Sequence, residues 1–299
     1  MKITGTFLDE ISHDIPSSNW GRKEWAKDFD EMKAIGIDTV ILIRAGYKNK
    51  LTFDSESLKK YIQPYPVYID LVDLFLEQAE RCGMNFYFGL YDSGEYWHKG
   101  DYKKELEINK ELAKEVAEKY GERKAFKGWY ASHELSVHDE DQLSLVGELC
   151  EELKSIKNIP ILISPYVKGR MQFEDPITLE EHEAQWDQIF SALSGKVDIV
   201  AFQDGQVDFF ELEDFSRVNK KLADQHGIES WANVESFERG MPINFLPIDW
   251  RNLKMKMDVA QKVGVSKLIT FEFSHFMSPN SIYPSAHFLL DRYREFTKL

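Results

Sequence analysis

Eight times along this chain a short β-rich run is followed by a longer segment with the 3.6-residue apolar period of a helix, and no other feature constrains the fold as much. The β-rich runs are ITGTFL (3–8), DTVILIRA (38–45), NFYFGLY (85–91), FKGWYAS (126–132), IPILISPY (159–166), DIVAFQD (198–204), ESWANVE (229–235) and KLITFEF (267–273). Most are nearly continuous in apolar residues, the pattern of strands covered on both faces in a parallel sheet. The helical segments include EWAKDFDEMKAIG, YIDLVDLFLEQAERCG and IDWRNLKMKMDVAQKVG, and six of the eight stop at a glycine, which tolerates the left-handed conformation after a helix end. Strand then helix, eight times, is the count of a closed (β/α)8 barrel. An open doubly wound sheet usually carries a glycine-rich turn after its first strand, and TFLDEISHDIPSSNW has no glycine between Gly5 and Gly21. The length of 299 residues would allow two domains, but no Pro/Gly/Ser-rich linker or change in composition divides the chain. The expectation is an α/β fold, a single (β/α)8 TIM barrel domain over residues 1–299.

Charge and cysteine content narrow the function. With 51 acidic against 37 basic residues the formal net charge is −14. Such a surface repels phosphate backbones and anionic lipid, so neither nucleic acid nor a membrane is an expected partner. A neutral substrate meets no such barrier. Cys82 and Cys150 sit in apolar helical patterns without a second Cys or a His at metal-ligand spacing, and read as buried free thiols. The N-terminus MKITGTFLDEI lacks the apolar core of a signal peptide and no run reaches the length of a membrane span, so the expected location is cytoplasmic.

In a barrel of this kind the active site is built from the C-terminal ends of the strands and the loops that follow. Asp9 and Glu10 follow the first strand, Arg44 closes the second, and Asp92 follows the third. His133 and Glu134 follow the fourth, Tyr166 closes the fifth, and Gln203 and Asp204 end the sixth. Glu235 ends the seventh, and Glu272 and His275 stand at the end of the eighth. The long connections fall on the same side, among them DSGEYWHKGDY and SFERGMPINFLPID, whereas KAIGID, ERCGMN and QKVGVS on the other side are short turns. Long loops on one face make a substrate cleft. Trp97, in such a loop, is a candidate platform for a pyranose ring. Trp129 and Trp231, within strands, read as core. Arg44, Asp92, Tyr166, Gln203 and Asp204, with Asp9, His133, Glu272 and His275, are the expected substrate-binding groups.

Glu134 and Glu235 stand on nearly opposite sides of the mouth. Glycoside hydrolysis needs two such carboxyls, one to protonate the leaving oxygen and one to attack the anomeric carbon or activate water. The segments GTFLDE, FDEMKAIGIDTVIL and FKGWYASHEL resemble an uncharacterised family of bacterial glycoside-hydrolase-like barrels, and the similarity covers essentially the whole chain. That family is related to the large retaining clan with catalytic glutamates at the ends of strands 4 and 7. The resemblance implies Glu134 as acid/base and Glu235 as nucleophile of a retaining glycosidase acting on a carbohydrate; the scattered histidines suggest that no tightly bound catalytic ion is required, and no other cofactor is expected. The chain departs from the clan in carrying His133 where the clan usually has Asn, and Phe271 or Phe273 in place of a strand-8 tryptophan.

Other readings remain open at the level of sequence. Glu238 lies close to Glu235, and Glu272 in TFEFSHF competes with it as second carboxylate or pairs with Arg44. A metal-dependent sugar isomerase or lyase could draw on Glu134, Asp204, Glu235, Glu272 and His275, although no HxH or HxxxH cluster is present. A barrel that binds carbohydrate without catalysis would keep the aromatics with its carboxylates too far apart to act together.

Overall fold

The computed structural model describes residues 1–239 and 245–299. Eight parallel strands close into a barrel: β1 (Ile3–Leu8), β2 (Thr39–Leu42), β3 (Asn85–Gly89), β4 (Phe126–Tyr130), β5 (Ile161–Ile163), β6 (Ile199–Gln203), β7 (Glu229–Asn233) and β8 (Lys267–Thr270). Each pairs with its neighbours in the chain, and β8 returns to β1 through Leu268 opposite Ile3. The helices that follow the strands are α1 (Arg22–Ala34), α2 (Leu71–Cys82), α3 (Tyr102–Tyr120), α4 (Glu140–Ile156), α5 (Leu179–Leu193), α6 (Leu212–Gln225), α7 (Trp250–Val263) and α8 (Pro284–Thr297). This is the (β/α)8 barrel expected from the alternation.

The near-continuous apolar runs separate by parity into two cores. Phe7, Ile41, Tyr87, Tyr130, Ala201, Trp231 and Ile269 point into the barrel. Their neighbours Leu8, Val40, Leu42, Trp129, Val200 and Leu268 pack outward against the helices. Both faces of each strand are thus dry, which is why alternation is missing from the sequence. Gly128 makes room inside: a Cβ there would come within 2.1 Å of the Tyr87 ring. Trp129 and Trp231 are both core, as their positions within strands implied.

Two details differ from the sequence expectation. Of the six helix-stopping glycines, Gly36, Gly83, Gly195, Gly227 and Gly264 have positive φ, but Gly121 stays right-handed at φ −59. The last strand is shorter than the run KLITFEF. It ends at Thr270, and the chain enters a one-turn helix, Phe273–Phe276, capped by the Glu272 carboxylate, which accepts the His275 N–H at 2.9 Å. Aromatic content favours a strand here, but the side-chain cap supplies a local hydrogen bond that stops it.

The mouth carries its own small structures. Gly46–Tyr47, Lys50–Leu51 and Tyr91–Asp92 form a three-stranded sheet over the ends of β2 and β3, and Phe237–Arg239 pairs antiparallel with Phe245–Pro247 after β7. Cys82 and Cys150 are buried free thiols. Among the described residues no helix is long and apolar enough to cross a membrane.

Candidate active site

A cleft of about 660 Å³ opens at the C-terminal ends of the strands. Among the residues singled out from the sequence, Arg44, Asp92, Trp97, His133, Glu134, Tyr166, Gln203 and Glu235 line it. Asp9, Asp204, Glu272 and His275 are buried outside its lining.

Glu134 lies four residues beyond the end of β4, where the chain has left the ladder and the side chain turns into the cleft. Burial raises its carboxyl above the ordinary carboxylate range. The Arg44 charge and a hydrogen bond from Gln203 oppose that shift, while Asp92 and Asp14 add to it. The wall beside it is fixed in turn. Arg44 Nε lies 3.5 Å from Asp92 Oδ2 and Nη1 donates to Ser12 at 3.4 Å. Gln203 donates to the Ser164 carbonyl at 2.8 Å.

His133 is held from behind rather than exposed to solvent. Its Nε2 lies 3.0 Å from Oε1 of Glu105 on α3, a carboxylate with no exposed surface that also accepts the Ser93 N–H at 3.1 Å. The imidazole ring leans on Trp97 at 4.9 Å between centroids, and Trp97 meets Tyr102 edge-on. On the neighbouring strand end, where the Tyr166 N–H donates to the Leu135 carbonyl at 3.2 Å, the Tyr166 ring stacks parallel on Phe173. Trp97 and Tyr166 thus both contribute aromatic rings to the cleft lining.

Glu235 follows β7 by two residues and is nearly fully buried, with its side chain at the cleft. Its backbone N–H donates to Asp204 Oδ1 at 3.1 Å. Lys256 of α7 donates from Nζ to the same oxygen at 2.7 Å and to the Glu235 carbonyl at 3.2 Å. Asp204 thus serves the backbone of Glu235 from behind the cleft.

Glu272 and His275 form a second buried set beneath the first loop. Besides the cap, Glu272 pairs with His275 Nδ1, and His275 Nε2 donates to the Pro16 carbonyl at 2.8 Å. Arg44 is paired with Asp92, not with Glu272. Burial alone would lower the His275 pKa, but the Glu272 charge and hydrogen bond, helped by Asp9 and Glu10, push it up to about 9 from 6.5. A raised folded-state value means that the protonated imidazolium stabilises the fold. That contribution is complete below pH 6.5 and is lost as the pH rises through about 9. The thermal midpoint is therefore expected to fall between pH 6.5 and 9.5, and a His275→Gln variant to show a flatter decline over that interval; parallel curves for the two proteins would contradict the assignment.

Several cleft residues escape a reading of the sequence. Phe7 and Tyr130, inward members of their strands, form its floor, and Asn233 and Ser164 line it beside Glu235. Of the two phenylalanines offered for the strand-8 position, Phe271 lines the cleft and Phe273 is in the outer core. Lys256 could have been noticed: it shares the buried face of α7 with Leu253, Met257 and Ala260, an unusual place for a lysine. Among the described residues no group of three or more His, Cys, Asp and Glu side chains is arranged to hold a metal ion.

A family model described as "Domain of unknown function (DUF4434)" matches residues 3–283. A crystal structure from Bacteroides thetaiotaomicron VPI-5482, of a protein provisionally named an alpha-L-fucosidase, is 49% identical in sequence, with a TM-score of 0.96 over 99% of this chain and 95% of that one. The endo-beta-1,4-mannanase of Thermotoga petrophila shares the fold at 12% identity and a TM-score of 0.60, over 99% of this chain and 77% of that one. The catalytic domain of the beta-amylase of Paenibacillus polymyxa does so at 9% identity and 0.63, over 98% and 97%. No curated protein matches the sequence.

Proposed function

We propose that this chain, which belongs to the DUF4434 family, is a retaining glycoside hydrolase with Glu134 as acid/base and Glu235 as nucleophile. The observation that carries the reading is the pair itself: carboxylates from the ends of β4 and β7 line one cleft, and burial keeps the Glu134 proton at higher pH than usual for a glutamate. In the first step Glu134 gives its proton to the glycosidic oxygen while Glu235 attacks the anomeric carbon; the leaving group departs as an alcohol and a glycosyl ester forms. In the second, the Glu134 carboxylate takes a proton from water, whose oxygen attacks the same carbon and releases Glu235. Arg44, Asp92, Tyr166 and Gln203 supply hydrogen bonds to sugar hydroxyls, and Trp97 a face for stacking. His133, fixed by Glu105, orients the segment that ends in Glu134.

The isomerase alternative gains nothing from the geometry, since Asp204, Glu272 and His275 lie outside the cleft lining that Glu134 and Glu235 share. The 49% identical relative makes α-L-fucosides the first substrates to try. Release of nitrophenol from an aryl α-L-fucoside, or from another aryl glycoside of a small panel, is the expected result, with the first-formed sugar retaining the anomeric configuration by NMR. Inversion would replace Glu235 as nucleophile with Glu235 as general base. Inactivity across the panel, with sugar binding retained, would instead favour the non-catalytic barrel.

A further inference from the structure

We propose that Asp204 and Lys256 are positioning residues that hold the Glu235 carboxylate in register with the cleft, an inference that rests on the reading of Glu235 as nucleophile. The β6–β7 ladder ends where Gln203 faces Asn233. Beyond it, the N–H groups of Val234 and Ser236 donate to the β8 side, to the carbonyls of Ile269 at 2.9 Å and Phe271 at 3.0 Å. The N–H of Glu235 points the other way, towards β6, where the strand has stopped. The Asp204 side chain stands in for the missing strand carbonyl, accepting that N–H at 3.1 Å. Lys256 Nζ closes the arrangement by bonding both Asp204 Oδ1 at 2.7 Å and the Glu235 carbonyl at 3.2 Å. The two backbone polar groups on either side of the Glu235 Cα are thus tied to one buried ion pair.

Stability alone does not account for such a pair. Lys256 is 5% exposed and Asp204 9%, and the cost of taking both charges out of water cancels much of their attraction. Apolar side chains of similar volume would fill the space at least as well. They could not, however, grip an N–H and a C=O at once. A nucleophile displaced by about 1 Å can lose about 10²-fold in rate, so fixing the Cα from which the carboxylate departs has a direct chemical return.

The test replaces the pair as a unit, Asp204→Leu with Lys256→Met, because Lys256→Met alone takes the lysine charge from beside a buried carboxylate and can fail to fold. Two readouts are taken on the double variant at a temperature where it is folded: steady-state kinetics on an aryl glycoside, and hydrogen exchange of individual backbone amides by NMR. The expected result is a fall in kcat of about 10–10²-fold with KM changed by less than about threefold. With it, exchange at the Glu235 amide should accelerate by at least about tenfold while Val234 and Ser236 stay protected. Wild-type kcat, an unchanged Glu235 amide, or equal acceleration at all three amides would each overturn the positioning role. Exchange does not depend on turnover, so a wild-type protein that hydrolyses no glycoside would refute the assignment of Glu235 while the amide result still decides whether the pair grips its backbone.

Discussion

Glu134→Gln is expected to slow hydrolysis of glycosides with sugar or alkyl leaving groups by about 10²–10⁴-fold, the usual cost of losing a general acid. The amide keeps the volume of the carboxyl and its hydrogen bond to Gln203 but has no proton to give. A nitrophenolate leaves without protonation, so bond cleavage in an aryl glycoside should be largely spared. The second step still lacks its base, and the glycosyl ester should accumulate until a small anion such as azide, which needs no deprotonation, attacks it. Glu235→Gln removes the attacking oxygen and should abolish turnover of both substrates, with no rescue of the first step by leaving-group quality. The pH profile carries the sign of the same assignment. Burial raises the Glu134 pKa, so its protonated form persists to higher pH, and activity should decline as the pH rises through that value. Glu134→Gln should remove this alkaline limb. Identical behaviour of the two variants on both substrates would mean that the roles are wrong.

Trp129→Ala is expected to destabilise the protein by about 3–5 kcal/mol, the cost of truncating a large buried aromatic. Trp129 has no exposed surface and packs between β4 and the helices, with its ring 4.8 Å from that of Phe126 and 6.0 Å from that of Phe88. The next residue, Tyr130, points into the barrel and lines the cleft. Denaturant midpoints should therefore shift strongly, while KM measured well below the unfolding range stays near wild type. A Trp129 that acted as a sugar platform would give the opposite result, a raised KM on an unchanged stability.

The fold was legible because its signals are local. Apolar runs of strand length and helices of 3.6-residue period repeat eight times, six of the helices stop at a glycine, and each of these signals is a property of a few neighbouring residues. The same pattern located the mouth: Glu134, Gln203 and Glu235 were found as polar residues following apolar runs, and all three line the cleft. Location at a strand end says only that a side chain starts near the mouth. It does not say which way the chain turns after the ladder stops. Glu272 looked equivalent to Glu235 in sequence, yet a one-turn helix capped by its own carboxylate directs it to His275.

The barrel, its two-sided strands and the end at which a site is built are therefore written along the chain, since all of these follow from the period of side chains along the backbone. Tertiary structure alone decided which acids share the cleft and what holds them. Glu105 is 28 residues from His133 and Lys256 is 52 from Asp204, and no local preference couples residues so far apart. Those partnerships exist because closing the sheet leaves charged groups without water, and each must then find its counterpart across the fold.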